Sequence, residues 1–135
     1  MSTVSVELRN VAGTEAALGW AGGHTIVVDR PEGHAGGHGL GFKGAQLLAL
    51  TIGGCFCNDL RYVAHAIGVD LGTISISVAV ELEGDPILAT AATMIVDCKM
   101  LDGSTAHTII EKANAVCMAI NSLGRGIPVQ VRTTT

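Results

Sequence analysis

Two hydrophobic periodicities succeed one another along the chain, in the order strands, helix, strands, helix. Val4, Val6 and Leu8 alternate with polar residues, the period-two pattern of a half-buried strand. Asn10 to Gly13 reads as a turn, Ala17 to Trp20 as the returning strand, and the β-branched run in His24 to Asp29 as a third. Glycine then dominates from Pro31 to Phe42, which predicts a long loop, often a functional or mobile one. From Lys43 to Ile67 the period changes. Leu47, Leu48, Thr51, Ile52, Cys55, Tyr62, Val63 and Ala66 recur at three- and four-residue spacings and predict a helix, with Gly68 placed to end it.

Ile74 to Glu83 alternates cleanly and is the clearest strand. Gly84-Asp85-Pro86 breaks it, and Ala89 to Met100 reads as its partner. Ser104 to Leu123 then predicts a second helix, capped by Ser104 or Thr105. Its apolar face is Ile109, Ile110, Ala113, Val116, Cys117 and Ile120, and Gly124 stops it. Ile127 to Arg132 predicts a closing strand, with Val129 and Val131 on one side. The class is α+β, a single domain over 1–135, with no repeat and no linker.

Gly53 and Gly54 interrupt the first helix pattern, each at a cost of about 1 kcal/mol relative to Ala. Two things would compensate: close packing of another helix, or backbone access for a group reacting beside Cys55.

Composition narrows the picture. Aromatics are 3% of residues, so the core must be packed by small aliphatic groups, and charged residues are 15%, well under the usual quarter. So little charge implies an apolar surface that a partner covers, and hence an obligate oligomer. A net charge of -4 offers no basic footprint for nucleic acid. No apolar run reaches membrane-spanning length, and Met1-Ser2-Thr3-Val4 lacks the regions of a signal peptide; the expected location is the cytoplasm.

Cysteines stand at 55, 57, 98 and 117. With no sign of secretion, a disulfide framework is not expected. Cys55-Phe56-Cys57 is a C-x-C pair rather than the wider spacing of structural zinc sites, and no second pair matches it. His34 and His38 lie in the glycine-rich stretch, where no helix would hold them on one face, so no metal or other cofactor is expected. Cys55 and Cys117 each fall on the apolar face of a predicted helix, where cysteine is often merely a small hydrophobe. Cys98 in its strand and Cys57 on the other side of the helix read as ordinary packing residues.

Three passages carry a resemblance. Gln46-Leu47-Leu48-Ala49-Leu50-Thr51-Ile52-Gly53-Gly54-Cys55-Phe56 is similar to the first helix of the OsmC/Ohr family of thiol peroxidases, in which small residues precede a reactive cysteine. Ala64-His65-Ala66-Ile67-Gly68-Val69, followed by the strand from Ile74 to Glu83, resembles the family's next passage. Glu111-Lys112-Ala113-Asn114-Ala115-Val116-Cys117 resembles its second helix, which carries the partner cysteine. The order of elements matches roughly from Val27 to Val131, and the joint pattern is more specific than any one motif.

The resemblance implies an OsmC-like fold, an antiparallel sheet wrapped around two central cysteine-bearing helices in an intertwined homodimer. It also implies reduction of small organic hydroperoxides. The Cys55 thiolate would attack the O–O bond, Cys117 would resolve the sulfenic acid to a disulfide, and a dithiol reductant would reset the pair. Arg30, in Asp29-Arg30-Pro31-Glu32-Gly33, resembles the arginine that activates the thiolate in some members. Two departures stand out: Ala45 occupies the position of the glutamate that orients that arginine, and Met118 replaces the proline that often follows the second cysteine. Glu32 is a carboxylate that could substitute for the lost glutamate. Two further readings stay open, a binder of small apolar ligands and a redox sensor without fast turnover.

Overall fold

A computed structural model of the protein describes residues 1–134. They divide into two compact units, Met1–Leu48 and the residues from Ala49 onward.

In the first unit β1 (Glu7–Asn10), β2 (Ala17–Ala21) and β3 (His24–Val28) form an antiparallel meander. Leu8 faces Gly19 and Gly19 faces Ile26, while Gly22-Gly23 closes the β2–β3 hairpin. The predicted opening strand starts late, because Val4 and Val6 lie outside the ladder and are exposed. The glycine-rich loop that follows is firmly wired. The buried Asp29 carboxylate accepts backbone N–H bonds from Arg30 at 2.8 Å, His38 at 3.1 Å and Leu40 at 3.0 Å. The Phe42 N–H bonds the Val27 carbonyl at 2.8 Å, so closely that a Cβ at Gly41 would lie 2.0 Å from that oxygen. Glycine here permits backbone to touch backbone, rather than a mobile lid.

α1 (Gly44–Ile67) has the predicted limits to within one residue. At its start the Gln46 side chain accepts the Lys43 N–H at 3.0 Å, the back-reaching half of a capping box. At its end Gly68 takes a φ of 72°, and bonds from Val69 N–H to the Ala64 carbonyl and Gly68 N–H to the His65 carbonyl complete a Schellman turn.

In the second unit β4 (Leu71–Glu83) and β5 (Leu88–Met100) pair antiparallel as a long hairpin. The part of α1 in this unit buries Ile52, Phe56, Leu60 and Ala64, one residue per turn. The core also takes in Leu71, Cys98, Ala106, Ile109, Ala113, Cys117 and Ala119. The buried stripe therefore differs from the one expected: Phe56 and Leu60 are inside, whereas Tyr62 is 70% exposed. What crosses α1 closely at Gly53 is a strand and not a helix, since a Cβ there would lie 3.0 Å from a Val78 methyl. Gly54, by contrast, faces open space.

The second predicted helix is two. α2 (His107–Val116) and α3 (Met118–Arg125) are separated by Cys117, whose φ of −61° and ψ of 116° are extended. Neither Ser104 nor Thr105 caps α2; its first flanking residue is Ala106, and Ser104 is taken up in a turn on the Asp102 carboxylate. Gly126 rather than Gly124 ends α3, with a φ of 76° and an N–H bond to the Ser122 carbonyl. Among the described residues Ile127 to Arg132 forms no strand, and Val129 and Val131 are exposed. No helix of the described residues is long and apolar enough to cross a membrane.

Candidate functional site

Residues 55 and 59 lie one turn apart on α1, and residue 117 lies at the α2–α3 break. These three side chains meet. The Cys117 thiol donates to the Cys55 sulfur across 3.6 Å, and the Cys55 thiol donates to Asp59 Oδ2 across 3.7 Å. All three donor atoms lie within 4.8 Å of one another. Residues i and i+4 share a helix face, which is why Asp59 accompanies Cys55. Cys117 stands at the one-residue break between the two helices and is buried in the same core cluster as Ile109 and Ala113.

The two sulfurs have different surroundings. Cys117 is completely buried, and Cys55 is half-buried. Burial pushes the Cys117 thiol up to about 11; a backbone hydrogen bond at Ile120 opposes this, while Cys55 and Asp59 reinforce it. A buried thiol without a counter-charge holds its proton, because the low-dielectric interior penalises the anion. Cys117 is therefore a protonated thiol at neutral pH, aimed at the Cys55 sulfur.

The other two cysteines lie outside this cluster. Cys98 is buried in β5 opposite Ile74, and burial raises its pKa as well. Cys57 is half-buried and takes part in no three-donor cluster among the described residues. Neither His34 nor His38 belongs to such a cluster.

Arg30 is held within the first unit. Its guanidinium donates to the Glu15 carbonyl and lies 3.4 Å from Asp29 Oδ1. Backbone N–H bonds from Leu40, His38 and Arg30, together with the Arg30 charge, hold the Asp29 carboxyl below its ordinary value despite burial. Glu32, which could have supplied a substitute carboxylate, approaches His38 at 3.9 Å. The carboxylate beside Arg30 is that of Asp29, next to it in sequence.

Asp59 is the site residue missed in the sequence. The signal was there, four positions after Cys55 on a helix, but a lone carboxylate among apolar neighbours reads as a solvent-facing residue.

Comparisons with known proteins agree with this fold. A family model described as OsmC-like protein matches residues 37–132, well over half of the chain. The crystal structure of an OsmC-like protein from Mycoplasma pneumoniae is similar, with a TM-score of 0.74 and 14% identity over 91% of this chain and 88% of that one. The organic hydroperoxide resistance protein OhrB of Bacillus subtilis gives a TM-score of 0.61 and 24% identity over 91% and 92%. An organic hydroperoxide resistance protein OsmC from Legionella pneumophila gives 0.63 and 21% over 91% and 90%. No curated protein matches the chain by sequence. With the matched segment spanning α1 through α3, the chain belongs to the OsmC-like protein family.

Proposed function

We propose that the protein is a thiol-dependent peroxidase that reduces small organic hydroperoxides through Cys55 and Cys117. The observation that carries this reading is the 3.6 Å separation of a half-buried and a fully buried thiol. The Cys55 thiolate attacks the distal peroxide oxygen, the O–O bond breaks, and the alkoxide takes a proton from water to leave as the alcohol. Cys55 is then a sulfenic acid. The Cys117 sulfur displaces its hydroxyl, forming the disulfide and releasing water. Closing from 3.6 Å to a bond of about 2.05 Å needs a modest movement, and the one-residue break at Cys117 gives α2 and α3 a place to adjust. A dithiol then reduces the disulfide, restoring both thiols and becoming a disulfide itself.

Arg30 is the cation this reading assigns to the thiolate, by its likeness to the family's arginine segment. Its guanidinium is already tethered by Asp29 and the Glu15 carbonyl. The chain is read as one domain working as a homodimer in the cytoplasm. Exposed Ile87, Leu88, Ile95 and Val131 support assembly. Sedimentation at micromolar concentration should show a dimer burying well above ~2,000 Å² and no stable folded monomer.

One observation favours the sensor reading over fast turnover. Asp59 places a carboxylate 3.7 Å from the attacking sulfur, where like charge opposes an anionic nucleophile. Consumption of an alkyl hydroperoxide in the presence of excess dithiol separates the readings. Sustained turnover that Arg30→Ala slows at least tenfold is the expected result. A single stoichiometric oxidation would make the protein a sensor, and no reaction would leave a ligand binder.

A further inference from the structure

The peroxidase reading leaves Asp59 unexplained. A carboxylate beside the attacking sulfur hinders the chemistry, yet the fold places it there one turn from Cys55, with its oxygen in hydrogen-bond contact with the thiol. With Cys117 it completes a set of two sulfurs and one oxygen, and among the described residues this is the one cluster of three such donors.

Two of the three separations match a coordination shell, and the third lies within 4.8 Å. In a tetrahedral zinc site, Zn–S bonds of about 2.3 Å and Zn–O bonds of about 2.0–2.2 Å put two sulfurs about 3.8 Å apart and a sulfur and oxygen about 3.5–3.7 Å apart. The observed Cys55–Cys117 and Cys55–Asp59 separations are 3.6 Å and 3.7 Å. Two thiols and a carboxylate are also the donor types that a borderline-soft divalent ion takes. Residue spacing could not have announced this site, because the C-x-C pair contributes only Cys55 and the third ligand is 62 positions away.

We propose that the reduced Cys55–Asp59–Cys117 cluster is a binding site for one zinc-class divalent cation, and that the bound ion protects the thiols from peroxide. Binding replaces two S–H bonds by two metal–sulfur bonds and releases both protons to solvent, with Asp59 contributing its carboxylate oxygen. The three side chains leave a fourth position on the ion for water. Metal and disulfide exclude each other, since both use the same two sulfurs. The protection half of the proposal rests on the peroxidase reading; the binding half does not.

The test uses the full chain, freshly reduced and freed of metal with a chelator. Zn²⁺ is titrated in competition with a chromophoric chelator, and Co²⁺ serves as the spectroscopic probe. One Zn²⁺ per chain is expected, with a thiolate-to-cobalt charge-transfer band and the visible bands of a tetrahedral ion. Cys55→Ser and Cys117→Ser should each remove the charge-transfer signature of the two-sulfur site. Asp59→Asn, which keeps the shape, should weaken binding by about 100-fold or more, beyond the usual cost of losing an outer-shell partner. Cys57→Ser should change nothing. Prior oxidation of the pair should abolish uptake, and saturating Zn²⁺ should slow loss of thiol to an alkyl hydroperoxide at least tenfold.

Absence of uptake while the pair still oxidises would overturn the metal site and leave the peroxidase reading standing. Uptake that survives Cys55→Ser but not Cys57→Ser would place the ion elsewhere and overturn the proposal equally. Uptake by a pair that never reacts with peroxide would keep the site and discard the protection, along with the peroxidase reading.

Discussion

α1 presents Cys55 from the interior of 24 uninterrupted helical residues, whereas Cys117 is presented from the single extended residue between α2 and α3. The first arrangement is partly open: Cys55 is half-buried, and of the two glycines before it Gly54 faces open space while Gly53 packs on Val78. The second is closed, with no accessible surface left on Cys117. A nucleophile that must meet a substrate needs access and a fixed position. A resolving thiol needs neither, but must be able to approach its partner and must not react first. On the proposed reading, these two ways of mounting a cysteine would divide the labour of a redox pair before any charge is considered.

The largest expected effects would collapse this division. Cys55→Ser should bring peroxide consumption down to the uncatalysed background. Cys117→Ser should permit one oxidation only, leaving a sulfenic acid on Cys55 that a dimedone probe captures and mass spectrometry locates. If the two variants behaved alike, the division of roles would be wrong. A smaller effect comes from the carboxylate: in metal-free buffer Asp59→Asn should speed single-turnover oxidation by about fivefold, the equivalent of about 1 kcal/mol of like-charge repulsion at a partly exposed site. Stopped-flow traces of thiol loss measure it.

The pH dependence sharpens the same contrast. Cys117 is pushed up from 9.0 to about 11, so the folded state keeps this proton where an unfolded chain has begun to lose it. Since the folded form binds more protons between those values, stability is unaffected below about pH 8, falls as pH rises through 9 and stops falling above about 11. Urea unfolding of reduced protein against pH should show that decline, and Cys117→Ala should flatten it. Alkylation of native Cys117 should remain slow until the same range.

Much of the second unit was legible in the pattern of residues. The long hairpin and α1 were, because period two and period 3.6 persist there over more than ten residues each. The pairing of Cys55 with Cys117 came from resemblance, as spacing cannot bring positions 62 apart together. Besides the closing strand, which does not form among the described residues, three features escaped. Asp59 was hidden because a charged residue gives no helical-face signal of its own. The buried stripe through Phe56, Leu60 and Ala64 was misplaced, since apolar residues occur on nearly every side of α1 and periodicity alone does not choose among them. The break at Cys117 left no mark in hydrophobicity, with apolar residues continuing through Val116, Met118 and Ile120.

That break yields the smallest predicted effect. Met118 is the first residue of α3, where the N–H has no intrahelical partner, and Cys117 before it already has the extended backbone that a following proline demands. Met118→Pro should therefore be tolerated and should stabilise the protein by about 0.4–1 kcal/mol in urea unfolding. In a continuous helix the same change would cost about 3 kcal/mol.

Peptide mapping of the metal-free protein after one equivalent of organic hydroperoxide decides whether Cys55 and Cys117 form the redox pair. Two of the four thiols should disappear and one intrachain disulfide should join Cys55 to Cys117, with Cys57 and Cys98 recovered as free thiols. A disulfide that includes Cys57, or four intact thiols after exposure, would contradict that pairing.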